Sequence, residues 1–545
     1  MKKFLIALLA FYIQFTFAQN VTGFVRDLIK NTPISNVKVK IKNLATGIED
    51  SVYTNSNGQW IFNLATSVGE DDLIADQFHV FQNYPNPFGK TVNSENPQTK
   101  INFSISQDDN VEIYIHNVLG ELVDFKNEFL TSGIYSILYQ GKGSPGIYFY
   151  TIKTSNYSET KKMIQLDGSK SDGGIQRIYR IGDYDKLSKS NVTSLYRIIY
   201  SKITHIEDTV QVELSGGESL MKLLKSFHHH TIMLDLHNDV LERMVADTSY
   251  RLRNRNSYNH TDIPRLKEGG VDLQFFAVWV SPTQYTNFYQ QALNMLNIFQ
   301  REMNDNQNSI AQARNWNQAD SIIKQNKIAA VIGVEGGHHI EDSIEKLVNL
   351  YNAGMRYLTI TWNNSTSWAV SAADSRSTTV GLSDFGRQVI RKLDSLGVII
   401  DVSHTGIKTI QDILQVTTKP IIASHSGARA LRNNTRNLYD WQIQDIANTG
   451  GVIGVVFYPP FLNGTNNATI QDVVNHIDYI KNLVGIDHVA IGSDFDGIGV
   501  TPLGLEDVSK FPALTEALFN RGYSREDVEK ILYKNFRRVF QQVCR

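Results

Sequence analysis

At 545 residues the chain exceeds a single core and divides into several domains, at about 100–200 residues each. With 41% apolar and 20% charged residues and a net charge of −2, it carries no global field to attract nucleic acid or an anionic membrane, and no basic stripe stands out. The only cysteine is Cys544, so an internal disulfide is excluded.

Met1-Lys2-Lys3 precedes the apolar run LIALLAFYIQFTFA, which ends at Ala18. That run is shorter than the ~20 residues a spanning helix needs, so residues 1–18 are expected to be a cleaved signal peptide. The protein is then exported: periplasmic, cell-surface or secreted. No other segment is long and apolar enough for a transmembrane helix.

From residue 20 to 75, VTGFV, VKVKI and, after the turn Asn55-Ser56-Asn57-Gly58, QWIFNL alternate with period two, which predicts a small antiparallel sandwich. This stretch resembles the carboxypeptidase-regulatory-like β-sandwich modules of exported bacterial proteins. Residues 78–168 contain FQNYPNPF, KINFSIS, VEIYIHNVLGELV, GIYFYTIKT and KKMIQL, and resemble the sorting domain of the type IX secretion pathway. The resemblance implies cell-surface attachment or contact with a secretion machinery. Such a module normally closes a chain, and here it is internal, so a plain β spacer is the other reading. Residues 169–230 start polar (GSKSDGG) and then carry LYRIIYSKI and TVQVELS; they read either as a linker or as part of a β module. Within them, His228, His229 and His230 are expected to lie in a solvated linker, since consecutive residues of an extended strand face opposite sides and do not converge on an ion.

From residue 231 to 545 eight apolar, β-branched segments recur: TIMLDLH, VDLQFFAVWV, IAAVIGVEG, RYLTIT, VIIDVSH, PIIASH, VIGVVFY and HVAIGSD. Amphipathic helical patterns that close at Gly lie between most of them, for example DSIEKLVNLYNAG, SDFGRQVIRKLDSLG and IQDVVNHIDYIKNLVG. The alternation predicts an α/β fold, a (β/α)8 TIM-type barrel preceded by small all-β sandwich modules.

His237, Asp239, Glu335, His404, His425 and Asp494 stand at the ends of these segments, where such a barrel builds its site. His237 and Asp239, two apart on one strand, share a face and can bind one cation. Glu335 ends the third strand before Gly336 and Gly337; a carboxylate buried there is explained by a bridging metal. His404 and His425 close the fifth and sixth strands. Asp494 is the first residue beyond the eighth and is suited to holding a nucleophilic water and moving its proton; Asp496, two residues on, is the alternative, or else a turn cap.

The segments LDLHNDV, GVEGGHH, LTITWNNS, GLSDFGRQVIRKLDSLGVIIDVSH, IIASHSGARA, TRN, IGSDFDG and SREDVEKILYKNFRRVF together resemble the membrane dipeptidase (renal dipeptidase) family of zinc peptidases, from about residue 231 to 543. The resemblance implies two Zn2+ ions, one on His237 and Asp239, the other on His404 and His425, with Glu335 bridging. It implies proton transfer by Asp494 and recognition of the substrate carboxylate by Arg436, whose planar fork suits that group. Where mammalian members have a substrate-contacting histidine this chain has Trp362, which donates one hydrogen bond and carries no charge. The implied activity is zinc-dependent hydrolysis of dipeptides by a metal-bridged hydroxide. Alternatives are another binuclear amidohydrolase acting on a different amide or ester, against which HxD in place of HxH speaks, or a non-catalytic surface binding protein. A homodimer is left open as a partner state.

Overall fold

The computed structural model describes residues 20–63, 78–83, 86, 88–91, 94–96, 98–166, 173–182, 194–214 and 218–545. The expected signal peptide lies outside the described residues. The chain divides into two compact units, one holding the described residues up to Lys202 together with Ile206–Lys225, the other Ile203–His205 and Ser226–Arg545.

The first unit has two apolar cores. Around Trp60, Ile41, Ile198 and Tyr200, one sheet orders Ser219–Leu224, Asn20–Asp27 and Gln59–Asn63, and another orders His205–Leu214, Ser194–Lys202, Lys38–Asn43 and Glu49–Tyr53. Residues 194–224 therefore supply strands to both sheets, including a parallel pairing of Thr22 with Ser219. The second core, around Phe103, Ile113, Tyr139 and Tyr150, lies within the chain segment between these strands. Its four-stranded sheets run Leu122–Leu130, Asp109–Asn117, Gly146–Lys153, Ser158–Gln165 and Gly174–Gly182, Gly133–Gln140, Gln98–Ile105, His79–Val80. Buried residues alternate with more exposed ones along Asp109–Asn117, as a sheet with one face on a core requires.

The second unit is the barrel. Its parallel strands, in spatial as in chain order, are Leu234–Asp235, Leu273–Val278, Ile328–Glu335, Met355–Thr359, Ile399–Asp401, Ile421–Ser426, Val452–Val455 and Val489–Ile491. Each falls within one of the eight segments read from the sequence, apart from the fourth, which begins one residue earlier, and the sixth, which ends one residue later. The ring closes where Leu236 N donates to Ile491 O (3.0 Å) and Asn238 bridges Phe495. A short extra strand, Ile310–Gln312, lies alongside the third. The surrounding helices Ile344–Ala353, Asp384–Leu396 and Ile470–Val484 start at the side-chain caps Ser343, Ser383 and Thr469, which take up otherwise orphaned N–H groups.

Barrel strands such as Ile328–Glu335 are buried along their whole length, as expected of parallel strands covered on both faces. Phe275 packs against Tyr357 (5.2 Å between ring centres), Phe536 (5.2 Å) and Phe540 (6.0 Å), the last two from the C-terminal helix Asn535–Val543. Each such ring contributes about 1.5–3 kcal/mol by burial. Gly333 makes this possible: a Cβ there would stand 2.1 Å from the Tyr357 ring.

One expectation is corrected here. His228 is buried in a turn, its ring nitrogens 2.7 Å from Thr515 Oγ1 and 2.7 Å from Gly269 O, rather than solvated on an extended linker. Both ring nitrogens are used in packing the start of this unit. Among the described residues no helix is long and apolar enough to cross a membrane.

Candidate metal centre

The strand ends bring five of the expected side chains together around Glu335. Its Oε2 lies 3.6 Å from His237 Nε2, while its Oε1 lies 3.0 Å from His404 Nε2 and 3.4 Å from His425 Nε2. His237 Nε2 is also 3.2 Å from Asp239 Oδ2 and 3.9 Å from Asp494 Oδ1. Three overlapping groups result, each with its ligand atoms within 4.8 Å of one another: His237, Asp239, Glu335; Glu335, His404, His425; and His237, His425, Asp494.

Second contacts orient these rings. Asn363 Oδ1, an acceptor, is 2.9 Å from His404 Nδ1, so the proton sits on Nδ1 and the Nε2 lone pair faces the centre. Ser424 Oγ lies 2.6 Å from Asp401 Oδ2 and 2.8 Å from His425 Nδ1; with its single proton given to the carboxylate, it accepts from Nδ1 and His425 too presents a lone pair. Tyr357 Oη meets His237 Nδ1 at 2.7 Å.

His404 and Asp494 have φ of 64° and 63°, in the left-handed region that costs a non-glycine residue energy. Two buried carboxylates secure them. Asp401 accepts from Ser403 N (3.0 Å), Ser424 N (2.8 Å) and Thr359 Oγ1 (2.5 Å), fixing the residues just before His404 and His425. Asp235 accepts from Ser493 N (2.8 Å), Ser493 Oγ (2.7 Å) and Gln274 Nε2 (2.8 Å), fixing the residue before Asp494. Gly497 allows the close approach beyond: a Cβ there would be 2.3 Å from Asp239 Oδ2 and 2.5 Å from Asp494 Oδ1.

The residues fit divalent-cation binding. His404 Nε2 and His425 Nε2 stand 3.1 Å apart, so with both Nδ1 atoms protonated two lone pairs face each other, and His237 Nε2 and Asp239 Oδ1 are buried without hydrogen-bond partners. Lone pairs held together in this way, with imidazole and carboxylate donors, match the preference of zinc-like ions. Burial, reinforced by Arg436, pushes His404 down to about 4, and burial with the neighbouring His237 pushes His425 well down; both are neutral and ready to bind. Burial opposes ionisation of Glu335, but the facing His237, His404 and His425 outweigh it and hold its carboxyl well below the usual range. Burial, reinforced by Asp239 and Glu335, raises Asp494 well above its ordinary value.

A cavity of about 380 Å3 opens over the cluster, walled by Trp279, Trp362, Tyr458, Phe461 and Arg436. The sequence profile described as membrane dipeptidase (peptidase family M19) matches residues 221–545. The chain belongs to this family. Human Dipeptidase 3 is 34% identical over 330 residues, which are 59% of this chain and 66% of that protein, so the chain spans just under two thirds of that relative's length. Among solved structures, a metallo peptidase named dipeptidase AC is 27% identical over 58% of this chain and 99% of its own, with a TM-score of 0.55. A metallo peptidase from Rhodobacter sphaeroides bound to a phosphinate mimic of L-Ala-D-Ala is 26% identical over 57% and 99%, with a TM-score of 0.54.

Within this family member, every site residue singled out from sequence lies at one mouth of the barrel. Arg436 is buried, with Nη2 3.3 Å from His425 O and its guanidinium 5.5 Å from the centre of the Phe461 ring. Trp362 packs 6.1 Å from the His404 ring and 5.0 Å from Trp279. Asp496 is tied to His260, whose N donates to its Oδ1 (2.7 Å) and whose Nδ1 accepts from its N (2.9 Å), while its Oδ2 is buried without a partner and the residue borders the cavity. Sequence reasoning missed Tyr357, Asn363, Asp401 and Asp235. The polar residues ending strands one and five, in LDLH and IIDVSH, were the available signal for the two aspartates; Tyr357 and Asn363 carried none.

Proposed function

We propose that the chain is an exported, zinc-dependent dipeptidase with two ions bridged by Glu335. The observation that carries this reading is the split of that carboxylate, one oxygen toward His237 and the other toward His404 and His425. Its family membership, and the dipeptide mimic bound to the Rhodobacter sphaeroides relative, support a dipeptide substrate.

His237 and Asp239 would hold one ion and His404 and His425 the other. Bound there, such a pair supplies Lewis acidity and lowers the pKa of a water toward neutrality. The protein's own residues do the rest. Arg436, buried at the wall of the cavity, pairs with the C-terminal carboxylate of the dipeptide and sets its distance from Glu335. Asp494, whose carboxyl burial raises, takes the proton of the attacking water at Oδ1 and returns it to the leaving amine. The Trp279 and Trp362 rings exclude solvent from one side; Trp362 offers no charge to a developing oxyanion. The N-terminal strands are assigned to a carboxypeptidase-regulatory-like module and a type IX sorting-like module that serve export or surface retention. A homodimer is compatible with this assignment.

The test is metal content by mass spectrometry on the full-length chain, together with turnover of L-L and L-D dipeptides. About two zinc per chain and cleavage lost in Asp494→Asn support the reading; a chain that binds no metal would falsify it.

A further inference from the structure

A second cavity, of about 180 Å3, shares only His404 and Arg436 with the main one, so these two residues border both. It is much larger than the about 30 Å3 share of one water and admits a carboxymethyl or carboxyethyl group. Its chemistry is one-sided. Two guanidinium groups, Arg429 and Arg436, and the hydroxyl residues Ser377, Thr378 and Ser426 border it, and no carboxylate does.

The donors there lack acceptors. Arg429 gives Nε to Asn433 Oδ1 (2.9 Å) and rests 4.3 Å over the Tyr439 ring, which leaves both terminal nitrogens without a protein partner among the described residues. Arg436 spends only Nη2, on His425 O. Ser426 is 1% exposed and its Oγ has no hydrogen-bond partner at all. A buried hydroxyl and a buried guanidinium with donors to spare line one void, with the half-buried Arg429 at its rim, a donor set that suits an anion.

We propose that this side chamber takes the side-chain carboxylate of the substrate's C-terminal residue, so that dipeptides ending in aspartate or glutamate are the preferred class. The inference rests on the dipeptidase reading. Arg436, which borders both cavities, meets the main-chain carboxylate, and Arg429 with Ser426 meets the side-chain carboxylate on its far side. A charge-assisted pair that replaces no existing one favours the acid over its isosteric amide.

On the full-length protein, kcat/KM for Ala-Glu over Ala-Gln reads the chamber, since the two side chains match in shape. The expected ratio is about tenfold or more, the size of one charge-assisted hydrogen bond. Arg429→Gln brings it to within about twofold, and Arg429→Lys, which keeps the charge, retains part of it. Equal rates on the two dipeptides, or a preference that survives Arg429→Gln, overturns the proposal. Calorimetric titration of both dipeptides into the zinc-loaded Asp494→Asn protein separates the two readings. Absence of any cleavage sinks the dipeptidase reading, while the ratio of the two Kd values still decides the chamber. Inorganic phosphate that binds the parent and not Arg429→Gln, with no preference for Ala-Glu, assigns the chamber to a free anion and also overturns the proposal.

Discussion

On one side of Glu335 stand His237 and Asp239, two residues apart on a single strand end; on the other stand His404 and His425, from separate strands and 21 positions apart. The first pair needs little beyond strand geometry and the hydroxyl of Tyr357 to bring its atoms to 3.2 Å. The second pair needs Asp401, which ties both preceding serines to one carboxylate and helps hold His404 at a φ of 64°. A ligand pair made locally is cheap to specify, whereas one made across strands depends on a buried bracket with no other evident task.

Substitutions can break this asymmetry in a graded way. The largest effect is expected from Asp494→Asn, which leaves both ligand pairs in place. The kcat falls by about 10²–10⁴, as for loss of a general base, while zinc content by mass spectrometry is unchanged. Asp401→Ala strips the bracket from the second pair alone. On the proposed two-ion reading, affinity for the ion on His404 and His425 drops by about 10–100-fold, and metal titration of the variant resolves one tight and one weak site. Equal loss at both sites would mean that the halves are not built separately. Tyr357→Phe removes a single hydroxyl from His237 and weakens only the first site, by about tenfold, the lower end for such contacts, with the Phe275 stacking kept. Smallest is Trp362→His. A new donor beside His404 raises kcat by roughly threefold to tenfold at nearly constant KM, well short of the about 10²–10³ of a preorganised oxyanion donor. A fall in kcat would show instead that the indole wall matters more as a barrier to water.

Much of the site was legible because its ligands are charged or imidazole side chains interrupting apolar β-branched runs, a pattern that is costly unless something binds there. HxD in LDLHND, the glutamate of GVEGG and the two SH steps stand out for that reason. Asn363 and Tyr357 did not, since an amide in a loop and a tyrosine in a core are ordinary until a histidine nitrogen is found 2.9 or 2.7 Å away. Similarly, nothing in TVQVELS or its neighbours indicates that the strand Ser219–Leu224 lies parallel to Asn20–Asp27, almost two hundred residues earlier.

The amino-acid sequence by itself determined the period of the barrel elements, the eight parallel strands, the helices that close at Gly between most of them and the candidate metal ligands at the strand ends. Those follow from local propensity and from the free energy of burying apolar surface. Only the tertiary structure decided which oxygen of Glu335 meets which histidines, that Asp401 and Asp235 act as brackets, that one oxygen of Asp496 is taken by His260, and that Arg429 and Arg436 border a cavity whose lining has no carboxylate. These are contacts between residues far apart in the chain, fixed by strand register and barrel closure, and their distances have no counterpart in local sequence pattern.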